Sequence, residues 1–352
     1  MQFADKQALS SLSLAVLMAL SGALVGCGGD GDDGGADPFL TDLDISAANS
    51  ETVAHATAAS VFAFSGAGGA VPLNSGSGVS ALGTSARVSH HAASGSSAAW
   101  LPQRVVDALK GAIRTDRAQP LAVTTSPPQA CAVAGTMTVT VDDRDNSGEF
   151  SLGDSISVAF SNCQDSTQEV LNGAATVVVT RIGATVLPSF GARMRLTQLS
   201  QEAADGRHGI AATGDVVLDY EQTSASSEKT TLTADGNVEL KVHTHQNYSD
   251  TVTLHPGFGQ QSFYESGPGI TRINAYGLFS SAAAGGRVVV EPLRTIEIAD
   301  TEFYPMSGTV KVAGQGSLVL TVLSSTSVQI DLDADGDNSY ESRQTQTWDW
   351  LF

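Results

Sequence analysis

From Ala130 onward, apolar and polar residues alternate in short runs. Met137-Thr138-Val139-Thr140-Val141, Ile156-Ser157-Val158-Ala159-Phe160 and Ala175-Thr176-Val177-Val178-Val179 open the series. Val216-Val217-Leu218-Asp219-Tyr220, Val238-Glu239-Leu240-Lys241-Val242, Val288-Val289-Val290 and Leu318-Val319-Leu320-Thr321-Val322 continue it. A period of two sends successive side chains to opposite faces, so these runs predict strands. About a dozen to sixteen strands fit the span, with almost no helical period between them. Links too short for crossover helices mean antiparallel pairing. Ala234-Asp235-Gly236-Asn237 predicts a hairpin, since Asp-Gly suits a type I′ turn. A glycine followed by an alternating run recurs at Gly135, Gly173, Gly214, Gly236 and Gly308, at intervals too uneven for a solenoid. So many antiparallel strands must curl, close or split into two layers. The predicted fold class is mainly β, an antiparallel sandwich or a large curved half-barrel over residues 130–352.

Before Ala130 the period is helical or absent. Val53, Ala56, Ala59 and Ala63 predict a short helix within 47–64, with Ser50 as its cap and Glu51 in its first turn. Leu101, Val105, Leu109 and Ile113 predict a second helix, which Pro102 can start and Val106 widens. Residues 65–99 between them are mostly Gly, Ser and Ala and read as a flexible loop, in which His90-His91 takes no role. Residues 47–129 thus form a helical and low-complexity segment able to cover one face or mouth of the sheet. A helix on a curved sheet resembles the periplasmic lipoprotein carriers, at the level of fold alone.

An apolar run from Leu9 to Val25 ends in Leu24-Val25-Gly26-Cys27, and a Gly/Asp-rich tract follows. The four residues resemble the lipobox of bacterial lipoproteins. The resemblance implies that residues 1–26 are a signal peptide and that Cys27 becomes the lipidated N-terminus. It implies more than one acyl chain, which anchors stably where a single chain does not. Gly28 stands where inner-membrane retention signals place Asp, so the implied location is the outer membrane, facing periplasm or cell surface. The competing reading is an uncleaved span, but about 17 residues with several serines is short for a bilayer of roughly 30 Å. Residues 27–46 then read as the lipidated cysteine and an acidic, Gly-rich tether.

Acidic residues outnumber basic ones by 37 to 18, for a net charge of −19. Such a surface repels nucleic acid and anionic lipid. The partners left are a membrane reached through the lipid anchor, an envelope protein, a glycan or an apolar ligand. With Cys27 given to lipid by the resemblance, Cys131 and Cys163 remain as an even pair. In an oxidising compartment they are expected to join, the alternative being two free thiols.

The strongest chemical signal is Asp143-Arg144-Asp145-Asn146-Ser147-Gly148-Glu149-Phe150-Ser151-Leu152-Gly153-Asp154. It resembles the twelve-residue calcium loop of EF-hands and dockerin-type modules. Asp143, Asp145, Ser147, Ser151 and Asp154 would donate side chains and Glu149 its carbonyl, meeting the six to eight oxygens that calcium takes. Position 12 is Asp, as in dockerins, and strands rather than helices flank the loop, so no EF-hand switching is implied. A second acidic loop runs from Asp331 through Asp333, Asp335, Gly336 and Asp337 to Glu341. Its acids and glycine match positions 1, 3, 5 and 6, while Glu341 falls at position 11, one short. Several like charges in one turn repel unless a cation neutralises them. The expected cofactor is calcium in a structural role, and the alternative for either loop is a solvated acidic tip.

His243-Thr244-His245 places two imidazoles on one strand face, with His255 near a turn. Zinc wants three or four ligands, and no spare cysteine or fixed acid completes the set. A polar sheet face is the simpler reading. No Gly-x-Ser-x-Gly elbow, His-Glu-x-x-His or phosphate loop occurs, and no catalytic residue is assigned. Trp348-Asp349-Trp350-Leu351-Phe352 reads as a last core strand with both tryptophans on one face. It resembles the closing strand of outer-membrane barrels, but aromatics make only 6% of the chain, too few for the girdles such barrels carry.

The expected function is that of an outer-membrane-anchored lipoprotein whose calcium-stabilised β domain serves binding, adhesion or envelope scaffolding. The alternatives are a carrier for a lipid or other apolar ligand in a curved-sheet cavity, and a periplasmic hydrolase. A continuously packed core favours the first and a lined apolar cavity the second. A cleft uniting Ser, His and a carboxylate favours the third.

Overall fold

The computed structural model describes residues 42–62, 124–125, 127–147, 151–164, 169–183, 189–244, 248–302 and 304–351. The helix expected at 101–113, Cys27, Glu149 and His245 lie outside them. Seventeen strands are described. They are β1 (Thr124–Thr125), β2 (Gln129–Ala130), β3 (Ala134–Asp142), β4 (Ser155–Gln164), β5 (Glu169–Ile182) and β6 (Ser189–Ala203). Next come β7 (Gly209–Ser224), β8 (Ser227–Ala234), β9 (Val238–His243), β10 (Ser249–Leu254), β11 (Gly259–Glu265) and β12 (Ile270–Ser281). The series closes with β13 (Gly286–Ala299), β14 (Ser307–Gly314), β15 (Gly316–Ser324), β16 (Ser327–Asp333) and β17 (Ser342–Thr347). Two helices accompany them, α1 (Ser50–Val61) and α2 (Trp348–Leu351).

All seven predicted runs fall inside strands, and the ladders are antiparallel throughout, as the short links require. β1 and β2 both pair with β3, so among the described residues the sheet reaches back to Thr124, before 130. From β3 to β17 the chain meanders, with β8 and β9 together filling one place in the sheet and β10 and β11 together the next. The expected hairpin at Asp235-Gly236 is not one. β8 and β9 run on in one direction and both pair with β7. Between the Val216↔Ala234 and Thr213↔Glu239 pairs, four residues, 235–238, lie against two, Gly214 and Asp215. Asp-Gly therefore makes a bulge inside a long strand, which bends it and adds twist. β10 and β11 share the neighbouring place in the same way, and Ala234 N–H bonds the Phe258 carbonyl where the two bulges meet.

The recurring glycines have a structural origin. Gly173 on β5 and Gly214 on β7 both hold positive φ, 87° and 146°. A Cβ on either would strike backbone of the adjacent strand, Gln198 O at 2.0 Å or Asn237 O at 2.7 Å. Gly135 on β3 and Gly277 on β12 meet Asn162 and Phe258 likewise. Glycine kinks facing bulges thus cross the sheet from β3 to β12 and curve it.

The helix α1 packs on the sheet. Every residue of α1 from Val53 to Val61 is buried, so beyond its first turn this helix has no solvent face. It packs on β10, β12, β15 and α2, and its four alanines permit that close approach. Its hydroxyls are satisfied within the helix, Thr57 Oγ1 donating to Val53 O at 2.6 Å and Ser60 Oγ to Ala56 O at 2.7 Å. One continuous apolar core joins α1, the strands' inner residues and α2. The helix expected within 47–64 is therefore present, with one difference: Ser50 is its first residue and Asn49 its cap position. Asn49 is spent on the approach instead, accepting from Ser46 N–H at 2.9 Å and donating to Asp44 O at 2.8 Å.

Two further expectations change. The tether read over residues 27–46 does not extend to its last residues. Leu43 and Ile45 are buried, Leu43 N–H bonds Arg287 O at 2.9 Å, and Leu43 O accepts from Gln315 N–H at 2.7 Å. Gly286 and Gly314 make the passage, since a Cβ on Gly314 would stand 2.2 Å from Leu43 O. The terminal aromatic run is a helical turn, α2, not a strand. Trp348 stacks on Tyr304, meets Phe62 edge-on and donates Nε1–H to Ser324 O at 3.1 Å. Trp350 meets His55 instead, so the two tryptophans serve different partners.

Candidate metal sites

Each acidic segment is a hairpin tip whose length the flanking ladder fixes. The Asp142↔Ser155 pair closes the first loop over residues 143–154, which are twelve. Asp143, Asp145 and Asp154 converge, with one oxygen from each within 4.8 Å of the others. Asp143 and Asp154 are buried and Asp145 is exposed. Backbone amides aim the carboxylates. Ser147 N–H donates to Asp143 Oδ1 at 3.1 Å and to Asp145 Oδ1 at 3.0 Å. Arg144 N–H and Ser151 N–H hold the two oxygens of Asp154 at 2.9 and 2.6 Å. The Ser147 and Ser151 hydroxyls and the Ser147 amide keep the Asp145 carboxyl below its ordinary range. Five expected residues, Asp143, Asp145, Ser147, Ser151 and Asp154, thus share one turn.

The second loop is shorter than the pattern it resembles. The Leu332↔Ser342 pair closes it over residues 333–341, which are nine. Asp333, Asp335, Asp337 and Glu341 converge within 4.8 Å, and Asp333 is buried. Gly336 N–H and Asn338 N–H bond the two Asp333 oxygens at 2.8 and 3.2 Å, and Ala334 N–H bonds Glu341 at 2.7 Å. Gly336 and Asn338 both hold positive φ, which shapes the turn. Asp331 stays apart from this group. It sits on β16 opposite Arg343 of β17 and takes that guanidinium at 2.6 Å, with Gln329 on its other oxygen at 2.7 Å. Its carboxylate keeps the guanidinium more firmly protonated than usual. The loop's first acid is thus Asp333, and Glu341 falls into place because the loop begins two residues later.

Both clusters can hold a metal ion, though exposed acids also gather without one. Carboxylates this close repel, and a hard cation with oxygen ligands relieves that repulsion. Strand direction alternates along the meander, so the first loop lies on one rim of the sheet and the second on the other. The second loop's rim also receives the N-terminal segment, for a Cβ on Gly316 would stand 2.9 Å from Ala334 O and 3.0 Å from Ile45 O.

Cys131 and Cys163 form a disulfide that ties the β2–β3 turn to β4. Among the described histidines, His243 ends β9, and His255 lies beyond the far end of β10. His255 Nε2 stands 3.1 Å from Ser280 Oγ. Ser280 is buried, and the nearby Asp250 is committed to Ser281 Oγ, Tyr248 Oη and Ala283 N–H. That arrangement has no exposed nucleophile.

Sequence reasoning missed His55. Its ring is buried between Tyr248 and Trp350, with centroids 4.5 and 4.6 Å away, and its Nδ1 lies 3.0 Å from Leu351 O. Burial lowers its pKa from 6.5, against smaller opposing effects of the Leu351 carbonyl and Glu51. Two stacked rings return about 1–2 kcal/mol to a cation, less than the several kcal/mol that desolvating it costs. The available signal was a lone imidazole in an alanine-rich helix.

No protein-family model, no curated protein and no solved structure matches this chain.

Proposed function

We propose that the protein is an outer-membrane-anchored lipoprotein whose β domain, stapled by calcium, serves binding, adhesion or envelope scaffolding. The observation that carries this reading is the burial of α1. A carrier needs a chamber against the sheet, whereas α1 from Val53 to Val61 is buried and continuous with the sheet's core. Lipid on Cys27 would hold the chain from the end that enters beside the second loop. Calcium at each loop would fix a hairpin tip in the way that the disulfide fixes the β2–β3 turn. The −19 charge keeps such a body off anionic membrane and leaves recognition to its rims.

The test uses the full chain, produced in a Gram-negative host and compared with Cys27→Ala. Expected are membrane fractionation and an acyl mass increment, both lost in the variant. Native mass spectrometry in detergent should show calcium-sized increments removed by chelator. Soluble, unmodified wild-type chain would overturn the anchor, and a mass unmoved by calcium would overturn the staples. A heavier apolar adduct would move the reading to a carrier.

A further inference from the structure

His55 is the meeting point of three elements. Its ring lies on Tyr248 at the start of the β10 strand, on Trp350 of α2, and on the α2 carbonyl of Leu351. α2 is one helical turn at the end of β17, and its own hydrogen bond to the buried helix runs through this imidazole. We propose that His55 is an acid-sensitive latch, whose protonation releases Trp350 and Leu351 from α1 while the sheet stays folded.

Among the described residues, the surroundings supply one screened countercharge and no buried one. On α1, the Glu51 carboxylate stands 4.0 Å away and is largely in water, where it is screened. Toward β10, Tyr248 Oη donates to Asp250, and that carboxylate is already filled by Ser281 and the Ala283 amide. On α2, Asp349 accepts from Tyr304 Oη at 2.7 Å. β15 carries no ionisable residue. On β12, Arg272 is held by Glu265 and Glu297, and Tyr276 is exposed. A proton on His55 therefore creates a buried cation that has only the Leu351 carbonyl at Nδ1 and the screened Glu51 carboxylate near Nε2; these return less than desolvation costs, and the cheapest relief is to let water in. α2 is the smallest element in contact, so it is the one that moves. Burial, which lowers the imidazole pKa, acts in that direction. The reading is independent of anchor and calcium.

The test follows acrylamide quenching of tryptophan in the full chain from pH 8 to pH 4.5, with far-UV circular dichroism as the control for the sheet. Quenching is expected to rise about twofold in acid with the dichroism unchanged, and His55→Gln should abolish the rise. A flat wild-type profile, or the same rise in the variant, would overturn the latch. Should the variant fail to fold, the wild-type His55 ring is followed by NMR through its contacts with Tyr248 and Trp350. A midpoint below 6.5 with loss of the Trp350 contact supports the latch. Persistence of that contact in the charged ring, a midpoint at or above 6.5, or no titration in the range overturns it.

Discussion

Gly173 on β5 lies directly against Gln198 on β6, close enough that a Cβ would stand 2.0 Å from the Gln198 carbonyl oxygen. Both residues hold positive φ, 87° and 46°. Gly173→Ala must therefore strain φ and push a neighbouring strand, at a cost of about 2–4 kcal/mol. Gly206→Ala is the control. It has φ of 69° but nothing within 4 Å of the added carbon, so it should cost about 1 kcal/mol. Urea midpoints of the two variants measure the difference.

The fold class was legible because a period of two is plain in runs such as 175–179, 216–220 and 288–290, whose burial alternates. The curvature was half legible. The repeated glycines were visible, but their reason is the backbone of another strand, Asn162 for Gly135 and Gln198 for Gly173, and no local pattern reports that. Asp235-Gly236 misled for the same cause: neither residue takes the positive φ of a type I′ turn, and β7 runs on beside both flanking strands. In the second acidic loop the spacing pointed to Asp331. The β16–β17 register decided otherwise, by setting Arg343 opposite it.

Leu43 and Ile45 turn a stretch of acidic, spacer-like composition into part of the core. Ile45 is wholly buried, against the passage that Gly314 and Gly316 leave open. Ile45→Ala should destabilise the body by about 2–4 kcal/mol. Asp44→Ala beside it, exposed, should change stability by less than about 0.5 kcal/mol. A slack tether would make both substitutions silent in thermal or urea unfolding.

The Cys131–Cys163 disulfide closes a loop of sequence separation 32. Constraining the unfolded chain to that loop is worth about 3–4 kcal/mol in the entropy model. The double variant Cys131→Ala, Cys163→Ala should lower the urea midpoint accordingly, and a thiol reductant should do the same to the wild type alone. An unchanged midpoint in the double variant would mean that the β2–β3 turn is held by the ladder without help.

Tyr264 donates its hydroxyl to Asp300 at 2.9 Å. Burial first, then that bond and the carboxylate's charge, push its phenol up to about 12. A pKa raised above the free value of 10 stabilises the fold while the phenol is neutral, and the contribution is lost as pH rises through about 12. Absorbance titration of wild type against Tyr264→Phe should show the missing step near 12, and Asp300→Asn should bring it back toward 10. A wild-type step at 10 would show that the Tyr264–Asp300 bond is not held in solution.

Asp331 and Asp333 are two residues apart and serve opposite purposes. Asp331 neutralises Arg343 across the β16–β17 ladder, whereas Asp333 lies buried in the loop with both oxygens held by amides of the turn. If calcium occupies that loop, Asp333→Asn should weaken its binding about tenfold or more, because the site loses a charge and its most firmly aimed ligand. Asp331→Asn should leave the affinity within about twofold, while freeing Arg343. Asp154→Asn should remove the first site without touching the second, since the loops lie on opposite rims. Calorimetric titration of calcium into the three variants separates these outcomes. Equal losses from Asp331→Asn and Asp333→Asn would place the first ligand on the strand, contrary to the register that sets Asp331 opposite Arg343.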